Sequence, residues 1–285
     1  MPKIPYIIVT PDYFASAGVR CLFRLAYILS TKGYESYVTG MINNCSYSVQ
    51  SIHDDAEKQY KLIEGGCITL YPEIYPTNHL SALRVAGFVG YPGRDLPYEN
   101  TFYYSNAIKS NIPKNRILTI NAIEKEIFNN DTPQERIWNT VWMGKGNGSE
   151  LDKLCIPDIK LITYKEPSDR KELASWLKQS KVLYTFDPAS CLIDEARFCG
   201  TPVVYIPNAI CPTMNDFFTY LKAGSNTVYG GTGTDTVLYG IAQSNTLEDI
   251  EKARLEIPEF LKFKEGYCNE ENSMIENFIA LTQEM

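Results

Sequence analysis

Two carboxylates, Asp187 and Glu195, stand with seven residues between them, in the run Asp187-Pro188-Ala189-Ser190-Cys191-Leu192-Ile193-Asp194-Glu195. Apolar runs flank them, Val182 to Phe186 before and Val203 to Ile206 after, so the pair falls on the turn and helix between two strands. In a parallel sheet the loop after a strand's carboxyl end leads into a helix N-terminus, whose unpaired N–H groups and positive dipole end favour a phosphate. Carboxylates beside such a site accept hydrogen bonds from hydroxyls. A third group, Lys145 in Gly144-Lys145-Gly146-Asn147-Gly148, follows the apolar Thr140-Val141-Trp142-Met143.

Each residue also has a plainer reading. Asp187 before Pro188 fits an N-cap with proline at the first helical position. Ser190 fits a helix cap, Glu195 a solvated helix acid of the kind expected for its neighbour Asp194, and Lys145 a surface residue in a glycine-rich turn. Gly230-Gly231-Thr232-Gly233-Thr234 lacks the lysine of a phosphate-binding P-loop and reads as a turn.

The longer run Asp187 to Val204 resembles the E-P-F-G-x-x-x-x-E-A-x-x-x-G-x-P-V-V segment of retaining nucleotide-sugar glycosyltransferases of the GT-B fold, family 4-like. Pro188, Glu195, Ala196, Gly200, Pro202, Val203 and Val204 match, while Asp187 replaces the first Glu and Ala189-Ser190 the Phe-Gly. The resemblance implies that Glu195 binds the ribose hydroxyls and Asp187 the donor sugar. Ser190 and Cys191 then approach the diphosphate, and Gly144 with Lys145 stands for the family's basic G-R/K segment. Position 150, where a second lysine usually follows, is Glu150, with Lys153 or Arg170 as substitutes. In the first half, Gly18 matches the loop beneath the diphosphate. Leu70-Tyr71-Pro72-Glu73 resembles a Y-P-E segment, making Glu73 a catalytic candidate that orients the acceptor hydroxyl. Arg20, Asn78 and His79 are acceptor-side candidates, Arg20 and Arg24 facing either a cleft or solvent.

The elements that must hold these residues follow βαβ grammar. A strand at Tyr6 to Thr10 leads through a loop to a helix with Val19, Leu22, Phe23, Ala26 and Leu29 on one face, stopped by Gly33. Strands are predicted from Tyr37, at Ile68 to Tyr71, Val85 to Val89, Thr101 to Tyr104 and Arg116 to Ile120. Phe128 to Gln134 reads as a linker. A second half then restarts at Thr140 to Met143, with strand Ile159 to Thr163 and helix Arg170 to Gln179. Helices are predicted at Leu247 to Arg254 and Asn272 to Leu281. The fold class is α/β, with two Rossmann-like domains facing across a cleft. The expected division is 1–130 for the acceptor, 134–270 for the donor, and a C-terminal helix, 271–285, which the resemblance sends back to the first domain.

A length of 285 residues suits two cores. The net charge of -7 comes from the second half, with 15 Lys and Arg against 22 Asp and Glu, whereas residues 1–133 carry 12 of each. That balance argues mildly against a nucleic-acid clamp. No window of about 20 apolar residues would span a bilayer, and the stretch Ile4 to Val9 is too short for a signal peptide. The eight cysteines form no C-x-x-C pair, only two histidines occur, and there is no D-x-D. Reduced thiols in a cytoplasm, no cofactor and no metal are therefore expected, and the resemblance implies that the cytoplasm is bacterial or that of a phage-infected host. The sequence reads as a glycosyltransferase taking a UDP-, GDP- or dTDP-sugar to a saccharide or lipid-linked acceptor, or to a modified base in DNA. A degenerate nucleotide-sugar-binding subunit and a sugar-nucleotide epimerase are the alternatives.

Overall fold

The computed structural model describes the chain apart from residues 1, 15, 92, 106–107, 110, 133, 145–150, 152–155, 189 and 227–234, and apart from the side chains of 223–226, 235 and 267–269. Two compact units form, Met1–Ala122 with Asn269–Met285, and Ile123–Cys268.

In the first unit, β1 (Tyr6–Ile8), α1 (Ala17–Thr31), β2 (Ser36–Val38), β3 (Gln50–Ser51), α2 (Ala56–Glu64), β4 (Ile68–Pro72), β5 (Arg84–Val89) and β6 (Asn100–Tyr103) follow in chain order. The sheet order is β3-β2-β1-β4-β5-β6 and every pairing is parallel. Chain order therefore reverses between β1 and β4. The α1 helix starts on Ser16, whose hydroxyl accepts the Val19 N–H, and ends before Gly33 at φ +78°. The face carrying Val19, Leu22, Phe23, Ala26 and Leu29 is buried against the sheet in one cluster with Tyr6, Ile8, Leu70 and Phe102. Burying such a stripe holds a helix to a sheet at about 25 cal/mol per Å² of apolar surface.

The second unit contains β7 (Trp138–Trp142), β8 (Ile159–Ile162), α3 (Arg170–Lys178), β9 (Ser180–Thr185), α4 (Leu192–Phe198), β10 (Val203–Tyr205), α5 (Met214–Asn226), β11 (Ile241–Ala242) and α6 (Leu247–Gln283). Its order is β11-β10-β9-β7-β8, again parallel, so chain order reverses between β7 and β9. Both units are Rossmann-like α/β sheets, as the βαβ grammar predicts.

Three expectations need correction. Arg116 to Ile120 is not a strand: a 3-10 turn at Lys114–Arg116 leads to one isolated bridge, Tyr103 to Ile117. A side chain rather than a ladder takes the end of that backbone, because Cys21 Sγ donates to the Ile120 carbonyl at 3.1 Å, and Glu271 accepts the N–H of the next residue, Asn121. The two C-terminal helices are one helix of 37 residues with Pro258 inside it. Proline removes one helical hydrogen bond, and Ile250, Ala253, Ile257 and Phe260, all buried around it, keep the helix in place. The unit boundary falls after Ala122 rather than at 128–134, because Phe128 is fully buried in the second core with Leu192 and Phe198.

Candidate functional site

The ends of β7 and β9 lie side by side, Trp142 in register with Thr185 and the Phe186 N–H donating to the Trp142 carbonyl at 3.1 Å. Just beyond them the chain closes on itself. Gly144 has φ +51°, and a Cβ at that position would lie 2.5 Å from both Cβ and Oδ2 of Asp187 and 2.6 Å from Trp142 Nε1. Only glycine tolerates this φ and this approach. Asp187 is 4% exposed, and its N–H donates to Thr185 Oγ1 at 3.1 Å. Trp142 Nε1 is buried with no hydrogen-bond partner among the described residues. The Trp142 ring meets Tyr164 edge-on at 4.9 Å, and Tyr164, just past β8, is 74% exposed. Partial desolvation and then the Asp187 charge push the Tyr164 hydroxyl up. Gly144, Asp187, Trp142 and Tyr164 thus share the carboxyl ends of three adjacent strands, β9, β7 and β8. In open parallel sheets ligands bind at that end, where chain order reverses.

The turn after Asp187 differs from expectation. The α4 helix begins at Leu192, with Cys191 at its N-cap position and no side-chain capping bond from Cys191, so Asp187 does not cap it. Ser190 is the local cap: its hydroxyl accepts the Leu192 N–H at 3.2 Å and its carbonyl the Ile193 N–H. Cys191 O accepts the N–H groups of Asp194 and Glu195. The amides of residues 192–195 are therefore engaged within the chain.

Glu195 is 1% exposed, and Arg170 holds both of its oxygens, Nη2 to Oε1 at 2.6 Å and Nη1 to Oε2 at 3.3 Å. Arg170 Nε donates to Glu124 Oε2 at 2.8 Å, and the guanidinium lies 4.4 Å from the Phe128 ring centre. The carboxylate expected to meet ribose is thus one arm of a buried triad, and Arg170, a candidate second cation for the diphosphate, is its centre. Asp194 is not a solvated acid either. It pairs with Arg197 and, at 2.6 Å, with Lys264 of α6.

In the first unit, Glu73 follows β4 at the reversal beside β1, and its Oε2 accepts the Gly90 N–H at 3.1 Å. Gly18 stands in the first turn of α1 with open space beside it, a Cβ there meeting nothing within 4 Å. Arg20 faces neither cleft nor solvent: it is 2% exposed, its Nη1 donating to the Ala122 carbonyl at 2.7 Å. Asn78 staples its own loop, bonding Tyr71 OH, Ala82 N–H and Ala82 O. His79 packs edge-on to Tyr71 at 5.4 Å.

The structure therefore gathers Asp187 and Gly144, and separately Glu195 with Arg170 and Glu124. Lys145, like Ala189 and the glycine run at 230–234, lies outside the described residues. Trp142, Tyr164 and Glu124 escape sequence reading, since an aromatic ending a strand and a lone Glu carry no pattern. Among the described residues no three His, Cys, Asp or Glu side chains are placed to hold a metal ion. No described helix is long and apolar enough to cross a membrane.

No protein-family model matches the chain, and no curated protein matches it. Among solved structures it is similar to the spinosyn rhamnosyltransferase SpnG, at 10% identity over 90% of this chain and 96% of that one, with a TM-score of 0.46. The glycotransferase of kitacinnamycin gives 12% identity over 99% and 95%, with a TM-score of 0.47. SnogD from Streptomyces nogalater gives 12% over 91% and 96%, with a TM-score of 0.40. These values are too low to transfer an activity to this chain.

Proposed function

We propose that the chain is a GT-B-type glycosyltransferase that moves a sugar from a nucleotide diphosphate-sugar to an acceptor hydroxyl, retaining configuration and using no metal. The observation that carries this reading is the packing of Gly144 onto Asp187 where chain order reverses in the second sheet. Asp187 and Gly144 belong to the two segments whose sequence resembles the donor site of that family. Asp187 accepts hydroxyls of the donor sugar. Lys145 stabilises the departing diphosphate by charge, and Glu73 orients the acceptor hydroxyl. The donor is a UDP-, GDP- or dTDP-sugar.

A binding subunit without turnover is the second reading. It is favoured by the replacement of the family's first Glu by Asp187, of its Phe-Gly by Ala189-Ser190 and of its second lysine by Glu150. Incubation with a panel of UDP-, GDP- and dTDP-sugars separates the two. Transfer or hydrolysis of one donor, lowered about tenfold or more by Lys145→Ala, supports the enzyme. Nucleotide binding without turnover supports the binding subunit, and epimerised sugar nucleotide would indicate isomerisation instead.

A further inference from the structure

Four successive loops at the carboxyl end of the first sheet carry exposed apolar side chains: Met41 and Ile42 after β2, Phe14 after β1, Ile74 after β4 and Tyr91 after β5. In the sheet these strands are neighbours, in the order β2-β1-β4-β5. At about 4.8 Å between strands, their loops emerge within about 15 Å of one another. The first unit has eight exposed large hydrophobic residues among those described, and five of them fall on this rim. Single exposed apolar residues are ordinary, but a cluster of them marks a binding surface.

The rim is braced from below. Tyr13 N–H donates to Met41 O at 2.8 Å and Met41 N–H to Asp12 Oδ1 at 3.0 Å, which ties the loops after β1 and β2 together. A Cβ at Gly40 would lie 2.0 Å from Pro11 O, so those loops touch at their backbones. The Gly90 N–H on Glu73 ties the loops after β4 and β5 in the same way.

Charge narrows the occupant. The four loops contain Asp12, Glu73, Asp95 and Glu99 against Arg94 alone, with no lysine. Lys109, from beyond β6, is paired with Asp95 at 2.5 Å. A rim of this sign repels a polyanion, because binding a phosphate backbone requires Lys and Arg to neutralise it.

We propose that this rim binds a neutral or cationic, largely apolar, hydroxyl-bearing molecule, and that it does not bind nucleic acid or a phosphorylated lipid. The proposal rests on the transferase reading for calling that molecule the acceptor. The apolar body covers Phe14, Met41, Ile42, Ile74 and Tyr91, and Glu73, just past β4, lies among them as a polar handle.

The test is direct binding to the full chain, without donor. Naphthol serves as the neutral probe, lauryl phosphate as the anionic amphiphile and a short DNA duplex as the polyanion. Naphthol is expected to bind, and Phe14→Asp with Ile74→Asp is expected to weaken it about tenfold or more. Both positions are exposed, so the melting temperature stays at the wild-type value. Equal naphthol binding by the double variant overturns the proposal, as does preferential binding of lauryl phosphate or duplex. A dimer that the double variant dissociates, with naphthol binding unchanged, also overturns it by assigning the rim to a second copy. A parallel titration with UDP, GDP and dTDP separates the two readings. Naphthol bound with no nucleotide bound keeps the rim and sinks the transferase, and the converse sinks the rim alone.

Discussion

Arg170 grips Glu195 with both terminal nitrogens while its Nε holds Glu124, so one guanidinium spans two buried carboxylates contributed by separate segments of the second unit. Removing the cation leaves two desolvated negative charges side by side. Such truncations typically cost about 3–5 kcal/mol. Arg170→Met is therefore expected to unfold at markedly lower urea concentration than wild type, and Glu195→Gln to lose less. Equal midpoints for Arg170→Met and wild type would show that the triad contributes nothing. Glu195→Ala is expected to lower stability and, in the protein that remains folded, to leave nucleotide binding at the wild-type level, because both carboxylate oxygens are held by Arg170. Binding measured well below the unfolding transition separates the two effects.

Gly144→Ala places a methyl 2.5 Å from the Asp187 carboxylate and adds strain at φ +51°. The expected cost is about 1–3 kcal/mol of stability together with displacement of Asp187. Turnover or nucleotide-sugar binding should fall further than the loss of folded protein explains. Full activity in a folded Gly144→Ala protein would remove Asp187 from the site.

Burial alone would raise the Asp194 carboxyl, but Lys264 and Arg197 bring it down to about 2. A depressed carboxyl stabilises the fold above its unfolded pKa, near 3.8, and that stability is lost as pH falls toward 2. The contribution is about 2 kcal/mol at neutral pH. Asp194→Asn should lower stability at pH 7 and flatten its decline between about pH 4 and pH 2. Unfolding curves across that range, parallel for wild type and variant, would exclude the linkage.

Tyr164 is exposed and touches Trp142 beside Asp187. Loss of one aromatic contact with a ligand is worth about 0.5–1.5 kcal/mol, or roughly a threefold to tenfold rise in donor dissociation constant. Tyr164→Ala should show that rise with an unchanged melting temperature. A melting shift without a binding change would make the ring a packing element.

Both sheets, the α1 stripe and the segment around Asp187 are legible in the chain because each depends on local periodicity. Apolar runs of four to six residues alternate with 3.6-period helices, and that pattern determines parallel βαβ units wherever they pack. The same grammar places Asp187 and Gly144 at strand ends, and the tertiary order β11-β10-β9-β7-β8 makes those two ends neighbours.

The partners of the charged groups follow a different logic. Glu195 reads as a ribose ligand or a solvated acid until Glu124 and Arg170 arrive from positions 71 and 25 residues away. Arg20 reads as a surface or cleft cation until the Ala122 carbonyl takes it into the interior. Phe128 reads as linker until the second core closes on it, and the two C-terminal helices read as separate until Ile250, Ala253, Ile257 and Phe260, buried around Pro258, carry one helix through. By itself, then, the sequence determined the α/β class, the strand ends and the residue types available for chemistry. Which carboxylate is spent on an ion triad and which one lies at the sheet's reversal was decided only by tertiary structure, because desolvation and pairing depend on neighbours in space that no local pattern encodes.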